Sequence, residues 1–303
     1  MACVFIVMVK NLKGLLSAIV LIVNTLVMVT VLMVFAIIKL VVPVKSFRIF
    51  ISKILVVIAE TWIAVNAWAF RKVHGDKIEV APLPPLSRDE WYLVVANHQS
   101  VTDIPVLQAV FNKRIPFLKF FLKQVLIWVP FLGLAWWALD FPFMKRYSRE
   151  TLQKKPHLKG KDMEATRKSC EQFRFFPTSV INFVEGTRFT PEKKQRQDSP
   201  YQYLLKPKAG GIGFVLGHLG ERMHTLLLVT MAYRPAPPTM WQYLCGDFEK
   251  VHVIVEKIAI PPQLLQKNYL TDVKFKQELF NWSEQLWYKQ DSKLAKYYGR
   301  PDI

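Results

Sequence analysis

The chain has 303 residues, 51% of them hydrophobic, and a formal net charge of +18. That is room for one substantial domain plus a membrane segment, with more apolar content than a chain bathed in water needs. Cys3, Cys170 and Cys245 have no paired spacing, which excludes a disulfide framework and suits a reducing compartment; no zinc-ligand spacing or nucleic-acid motif is present.

Gly14 to Ile38 is 25 residues without a charge, bounded by Lys10, Lys13 and Lys39. As a helix it would cross about 30 Å of hydrocarbon, so we expect a transmembrane anchor at about 14–38. A cleaved signal peptide would carry a shorter apolar region and a clearer small-residue site. Lys39, Lys45, Arg48 and Lys53 follow the segment, which places its C-terminal side in the cytoplasm. Phe50 to Phe70 is apolar but carries Lys53 and Glu60, with Trp62 and Trp68. We read it as an interfacial amphipathic helix, with a two-helix membrane motif as the alternative. Residues 1–70 are thus expected to form the membrane anchor and 71–303 the second domain. Residues 1–80 hold 9 Lys and Arg against 3 Asp and Glu, a net of +6, so the remainder carries +12. The basic balance favours anionic lipid or a phosphorylated substrate, and no nucleic-acid partner is expected.

Arg71 to Arg88, with Ala81-Pro82-Leu83-Pro84-Pro85, reads as the approach to the second domain. Tyr92 to Ala96 is an apolar run that reads as a buried strand. It ends in Asn97-His98-Gln99-Ser100, with Asp103 five residues after His98 and a helix from Pro105 to Phe111. Strand end, loop and helix start are where α/β folds place reactive side chains. A histidine takes a proton near neutral pH, and does so better when a carboxylate holds its other ring nitrogen. By spacing alone, an ordinary loop histidine beside a helix N-cap aspartate fits equally.

Gln124 to Leu139 is apolar, with Trp128, Trp136 and Trp137, but only 16 residues long and interrupted by Pro130 and Gly133. We expect a buried or membrane-dipping segment. Arg146 to Lys161 reads as a basic loop, and Asp162 to Phe175 as a helix. Val180 to Val184 is a second apolar strand, ending in Glu185-Gly186-Thr187-Arg188. Glycine lets backbone approach a ligand closely, and arginine offers a planar fork for phosphate, here with a carboxylate beside it to orient it. A surface turn with a salt bridge would look the same. Phe189 to Tyr203 reads as a mobile basic loop, and Lys206 to Gly211 as the opening of an apolar helix ending near Gly217. Strands are expected at Thr225–Met231 and Val251–Ile258, and a helix at Phe275–Tyr288. Strands alternating with helices argue an α/β domain with a largely buried sheet.

Taken together, NHQSVTD at 97–103 and FVEGTR at 183–188 resemble the glycerolipid acyltransferase family, the 1-acylglycerol-3-phosphate acyltransferases, over roughly residues 75–260. The fuller string NHQSVTD…EGTRFTPEK is most similar to the subgroup containing lysocardiolipin acyltransferase-like proteins and bacterial membrane relatives. Lys123, Leu126, Pro130 and Gly133 resemble a further family segment, and Phe141 to Arg146 resembles its second motif. The fourth motif departs: the family has a proline within an apolar run, where this chain has Leu228-Val229-Thr230-Met231-Ala232-Tyr233.

The resemblance implies a mixed sheet flanked by helices behind an N-terminal anchoring helix or two-helix motif. It implies acyl transfer from acyl-CoA or acyl-carrier protein, as co-substrate, to the free hydroxyl of 1-acylglycerol 3-phosphate. His98 would be the general base and Asp103 its orienting partner. Glu185, Gly186, Thr187 and Arg188 would bind the acceptor's phosphate, with Arg146 and Lys123 as further cations. Neither a metal nor a resident cofactor is expected. The rival acceptors are lysophosphatidylglycerol and lysocardiolipin, and the rival class is a non-catalytic membrane lipid-binding protein. The expected location is the bacterial inner membrane, with the catalytic domain facing the cytoplasm.

Overall fold

The protein is described here from a computed structural model, which describes residues 2–144, 173, 176–265, 269 and 271–299. Two long helices lead the chain, α1 (Ala2–Val41) and α2 (Lys45–His74). Pro43 in the intervening link ends the first, since a residue before proline is driven out of the helical region. Both are long and apolar enough to cross a membrane, by length and composition. The helix α1 extends beyond the uncharged stretch 14–38 at both ends, because Lys10, Lys13 and Lys39 are good helix formers.

The two helices pack together. Asn24 Nδ2 donates to the Trp62 carbonyl at 3.0 Å and to Asn66 Oδ1 at 2.7 Å. On α2, Ile51, Leu55, Ala59, Ile63 and Phe70 are buried at spacings of four and seven residues, which is one helical face. Glu60 is only 2% exposed, and Arg88 Nη2 donates to its Oε1 at 2.6 Å. Of the two charges that marked this helix as interfacial, Glu60 is therefore paired with the following domain, while Lys53 is exposed. Both ends of α1 are also tied to that domain. Lys10 pairs with Asp247 and Lys39 with Asp140. Those lysines stand roughly 44 Å apart along a helix, so α1 lies along the domain rather than projecting from it.

The main sheet contains β1 (Ile78–Val80), β2 (Tyr92–Ala96), β3 (Leu118–Phe120), and, beyond a separate pair β4 (Leu122–Lys123) and β5 (Phe143–Met144), the strands β6 (Ser179–Phe183), β7 (Thr225–Arg234) and β8 (Lys250–Ala259). Its order is β1-β8-β7-β2-β6-β3, with β7 and β8 antiparallel and all other neighbours parallel. All five residues of β2 are buried. Alternation sends Tyr92, Val94 and Ala96 to one core, and Leu93 and Val95 to the other. The first core holds α3 (Asp103–Phe111) and the inner face of α2; the second holds α6 (Gly210–Leu219) and the long C-terminal helix α8 (Val273–Tyr298).

One segment differs from its sequence reading, and another takes a form compatible with a membrane-dipping segment. The basic stretch 189–203 contains a short helix, α5 (Pro191–Arg196), capped by the Thr190 side chain accepting from Lys193 N. Tyr201 and Leu204 then bury into the second core, so the segment is anchored rather than loose. Segment 124–139 forms a 3-10 turn and then α4 (Leu132–Ala138), which rests on α1. Gly133 is required there, because a Cβ would meet the Ile127 carbonyl oxygen at 2.0 Å. Ala135 and Ala138 face inward, while Val125, Trp128, Phe131, Leu134 and Trp137 stand exposed, Trp128 at 83%. The expected basic loop 146–161 lies outside the described residues, as does nearly all of the expected helix 162–175. The last short helix, α7 (Met240–Cys245), packs on α1 near Gly14, where a Cβ would meet Cys245 Sγ at 2.4 Å.

Candidate active site

Strands β2 and β6 run parallel with Ala96 beside Phe183, so the loop after each emerges at the same sheet edge. That edge, outside the carboxyl ends of parallel strands, is where open α/β sheets place ligands. The sequence motifs 97–103 and 183–188 therefore meet in space.

Asn97 closes β2. Its side chain bridges to β7, accepting from Met231 N at 2.8 Å and donating to Met231 O at 2.9 Å. The loop then turns back on Asp103, the first residue of α3. Asp103 Oδ2 accepts from His98 Nδ1 at 2.8 Å, from Gln99 N at 2.7 Å and from Ser100 N at 3.0 Å. A carboxylate only accepts, so His98 Nδ1 carries the hydrogen and Nε2 is left free to take a proton. The His98 side chain is 18% exposed and that of Asp103 is 0% exposed, so the imidazole reaches the surface while its partner is sealed. Asp103 Oδ1 accepts from Tyr233 Oη at 2.6 Å. The Phe183 ring stacks on the His98 ring at 4.2 Å between centroids. Ser100 Oγ is spent on the Pro238 carbonyl at 2.5 Å, consistent with its having no nucleophilic part.

Glu185 makes the second link between the motifs. It is fully buried, with Oε1 accepting from His98 N at 2.8 Å and Oε2 from Leu205 N at 3.0 Å. Both oxygens face backbone amides, and among the described residues it makes no ion pair with Arg188. The first of these bonds ties the His98 loop to the turn. Burial pushes its pKa up to about 8, outweighing the two amides that favour its charged form. A further bond, Phe189 N to His98 O at 2.7 Å, closes the link between the motifs.

Gly186 adopts φ +69°, the left-handed region that glycine enters freely, and is exposed. A Cβ there would meet Lys208 Nζ at 3.2 Å, so the Lys208 ammonium lies over the turn. Thr187 Oγ1 accepts from Lys193 Nζ at 2.9 Å, and the same ammonium donates to the Arg188 carbonyl at 2.8 Å. Arg188 itself is exposed. Arg188, Lys193 and Lys208 thus gather positive charge around an exposed turn next to His98, an arrangement suited to phosphate. Lys123 is exposed on the separate β4–β5 pair, in register with Met144, and the structure ties it neither to His98 nor to Arg188. Arg146 lies outside the described residues.

Sequence reading missed Tyr233, Asn97 and Lys208 as members of this site. The signal for Tyr233 was the period-two pattern of its strand, which puts it on the same face as Val229 and Met231.

Beyond α3 an apolar cavity of about 600 Å³ opens between the two leading helices and the domain. Val20, Leu21, Trp62, Ile104, Trp136 and Tyr243 are among its walls. Ile104 directly follows Asp103 in the chain, while His98 and Asp103 are not among the cavity's walls.

Residues 72–232, more than half of the chain, match the family model for acyltransferases. Lysocardiolipin acyltransferase 1 of Mus musculus is 28% identical over 134 residues, covering 40% of this chain and 33% of that protein. The match thus spans about a third of that relative's length. Among solved structures, the 1-acyl-sn-glycerophosphate (LPA) acyltransferase PlsC of Thermotoga maritima superposes with a TM-score of 0.54. It covers 97% of this chain and 100% of its own at 16% identity, a likeness of fold. The fold read from the sequence, a mixed sheet flanked by helices behind two apolar N-terminal helices, is the one observed.

Proposed function

The chain belongs to the acyltransferase family, and from that premise we propose a membrane-bound O-acyltransferase. It moves a fatty acyl group from a thioester, acyl-CoA or acyl-carrier protein, to the free hydroxyl of 1-acylglycerol 3-phosphate, giving phosphatidic acid for phospholipid synthesis. The single observation that carries this reading is the 2.8 Å contact from His98 to a buried Asp103, directly beside the cationic turn at Arg188. His98 Nε2 takes the proton of the acceptor hydroxyl, and Asp103 stabilises the imidazolium. The acceptor oxygen attacks the thioester carbonyl, the C–S bond breaks, and the departing thiolate takes the proton from His98. Arg188, Lys193 and Lys208 hold the acceptor's phosphate. A cavity of 600 Å³, within the usual range of about 300–1,000 Å³ for small-molecule sites, receives acyl chain.

In this proposal residues 1–70 are the anchor and 71–303 the acyltransferase domain. The exposed apolar faces of α1 and of segment 125–137 support a bilayer contact. Both ends of α1 are paired to the domain, which favours a hairpin embedded from one side over a simple crossing. Basic flanks, the +18 charge and cysteines without paired spacing in the sequence support the cytoplasmic face of a bacterial inner membrane.

A second reading keeps the chemistry and changes the acceptor to lysocardiolipin or lysophosphatidylglycerol. The mouse relative's name favours it. The test is acyl transfer in membranes carrying wild type or His98→Ala, with labelled acyl-CoA or acyl-carrier protein and each acceptor in turn. Activity lost in the variant supports the enzyme, and the best acceptor separates the two readings. Equal inactivity of both folded proteins on every pair would instead favour a non-catalytic lipid-binding protein.

A further inference from the structure

We propose that Tyr233 is a positioning residue for this reaction, its hydroxyl fixing Oδ1 of Asp103 so that Oδ2 stays aimed at His98; this rests on the acyltransferase reading of the pair. The four donors around Asp103 divide unequally. Three converge on Oδ2: the His98 ring and two loop amides. Oδ1 faces Tyr233 at 2.6 Å, a short bond of the charge-assisted kind. Asp103 and Tyr233 are both 0% exposed, so water does not substitute for the phenol. Without it, one oxygen of a buried carboxylate would lose that donor, which costs more than the bond's net worth.

The surroundings aim the phenol at the carboxylate. Thr102 Oγ1 lies 3.3 Å from the Tyr233 oxygen and 3.1 Å from Ser100 Oγ, and because a carboxylate only accepts, the phenol's own hydrogen goes to Asp103. Asn97 grips the backbone of Met231, two residues earlier on the same face of β7. Tyr233 N donates to Tyr298 Oη at 3.1 Å, so the last turn of α8 braces the strand. Burial, and after it the Asp103 charge, raises the phenol's pKa well above its ordinary value, so it remains a donor. The strand that carries Tyr233 is the one where this sequence departs from its family's fourth motif.

The bland alternative is a core tyrosine whose hydroxyl merely found an acceptor. Titration separates the two. The titratable groups facing Asp103 are His98 in the loop, Glu185 after β6, Tyr233 on β7 and Tyr298 on α8. The carboxylate is charged whether His98 is neutral or protonated, so removing the phenol changes the His98 titration only through the aim and charge sharing of that carboxylate, a change that a merely packed tyrosine would not make.

The experiment compares wild type, Tyr233→Phe, Thr102→Val and Tyr298→Phe in the full chain in detergent, with folding checked by thermal unfolding. Two quantities are read: the pH profile of acyl transfer, and the NMR titration of the His98 ring assigned against His98→Gln. In Tyr233→Phe, kcat falls about 10- to 100-fold with little change in acceptor KM. The acid limb and the His98 titration move together, away from their wild-type position. Thr102→Val, which keeps the phenol but loses the hydroxyl beside it, moves them by less. Tyr298→Phe, which removes only the acceptor of the Tyr233 amide, moves them least. A Tyr233→Phe protein with wild-type titration and kcat, in an assay where His98→Ala is silent, overturns the proposal and leaves the acyltransferase reading intact. If wild type is inactive on every acceptor, that reading fails, and the NMR titration alone still decides whether Tyr233 is coupled to the pair.

Discussion

The loop 97–103 and the turn 185–188 leave neighbouring strands of one sheet, yet they are built in opposite ways. In the loop the polar residues are sealed: Asn97, Thr102 and Asp103 are 0% exposed and Ser100 is 3% exposed. In the turn, only Glu185 is buried, and Gly186 and Arg188 face outward. Proton transfer needs heavy atoms held within hydrogen-bond reach and a fixed tautomer, so it is built where side chains are locked by partners. Attraction between a phosphate and a cationic cluster falls off slowly with distance, so it tolerates side chains that stand in water. The buried Glu185 belongs to the first kind of structure although it sits in the second, and it fastens the two together.

The largest expected effect breaks the sealed half. His98→Ala should lower kcat by about 10²–10⁴-fold or more while leaving acceptor KM nearly unchanged, since the base acts in the transition state. A loss of only two-fold, measured with labelled thioester, would remove His98 as the base. The next breaks the open half. Arg188→Ala should raise the KM for a phosphate-bearing acceptor by about 10- to 100-fold with a smaller change in kcat, and Arg188→Lys should recover only part of it. The opposite pattern, a collapse in kcat at unchanged KM, would mean that Arg188 works on the reacting carbonyl instead.

The two halves also differed in how far the sequence disclosed them. Strands Tyr92–Ala96 and Ser179–Phe183 and the turns after them were legible because their chemistry is local: an apolar run, then polar residues a few positions apart. The His98–Asp103 contact spans one loop, and its spacing suffices to suggest it. Tyr233 approaches Asp103 from 130 residues away, and Gln290 reaches Val229 across 61. Such contacts depend on sheet order, which periodicity does not give. The partners of Glu185 were hidden for the same reason, because they are backbone amides brought in by the fold. The helix Pro191–Arg196 was missed although its signal was local: a threonine N-cap followed by proline at the first helical position.

Glu185 supplies the next test, on stability. Glu185→Gln keeps the shape but turns an NH₂ toward one of two amide donors, so it should cost about 1–3 kcal/mol. The pH dependence follows from the raised pKa. The unfolded carboxyl titrates near its ordinary value of 4.5, while the folded one holds its proton to about 8. The folded state therefore binds more protons across that window, and this group's stabilisation is full below about 4.5 and lost as pH rises through about 8. Thermal unfolding at pH 5 and pH 8 should show wild type losing stability with rising pH, with a flatter dependence in Glu185→Gln. Equal slopes would place a charged carboxylate at the strut.

The smallest effect probes the seam between the halves. Gly186→Ala introduces a Cβ at φ +69°, which costs on the order of 1 kcal/mol. The added carbon would also meet Lys208 Nζ at 3.2 Å, the far end of a flexible side chain. The lysine therefore moves before the backbone does, and the phosphate site should lose one cation while the His98–Asp103 pair stays in place. A few-fold rise in acceptor KM at constant kcat, with the His98 titration unmoved, is the expected result. If kcat falls instead, strain at Gly186 has travelled through Glu185 into the His98 loop, and the sealed half depends on the open one more than its hydrogen bonds indicate.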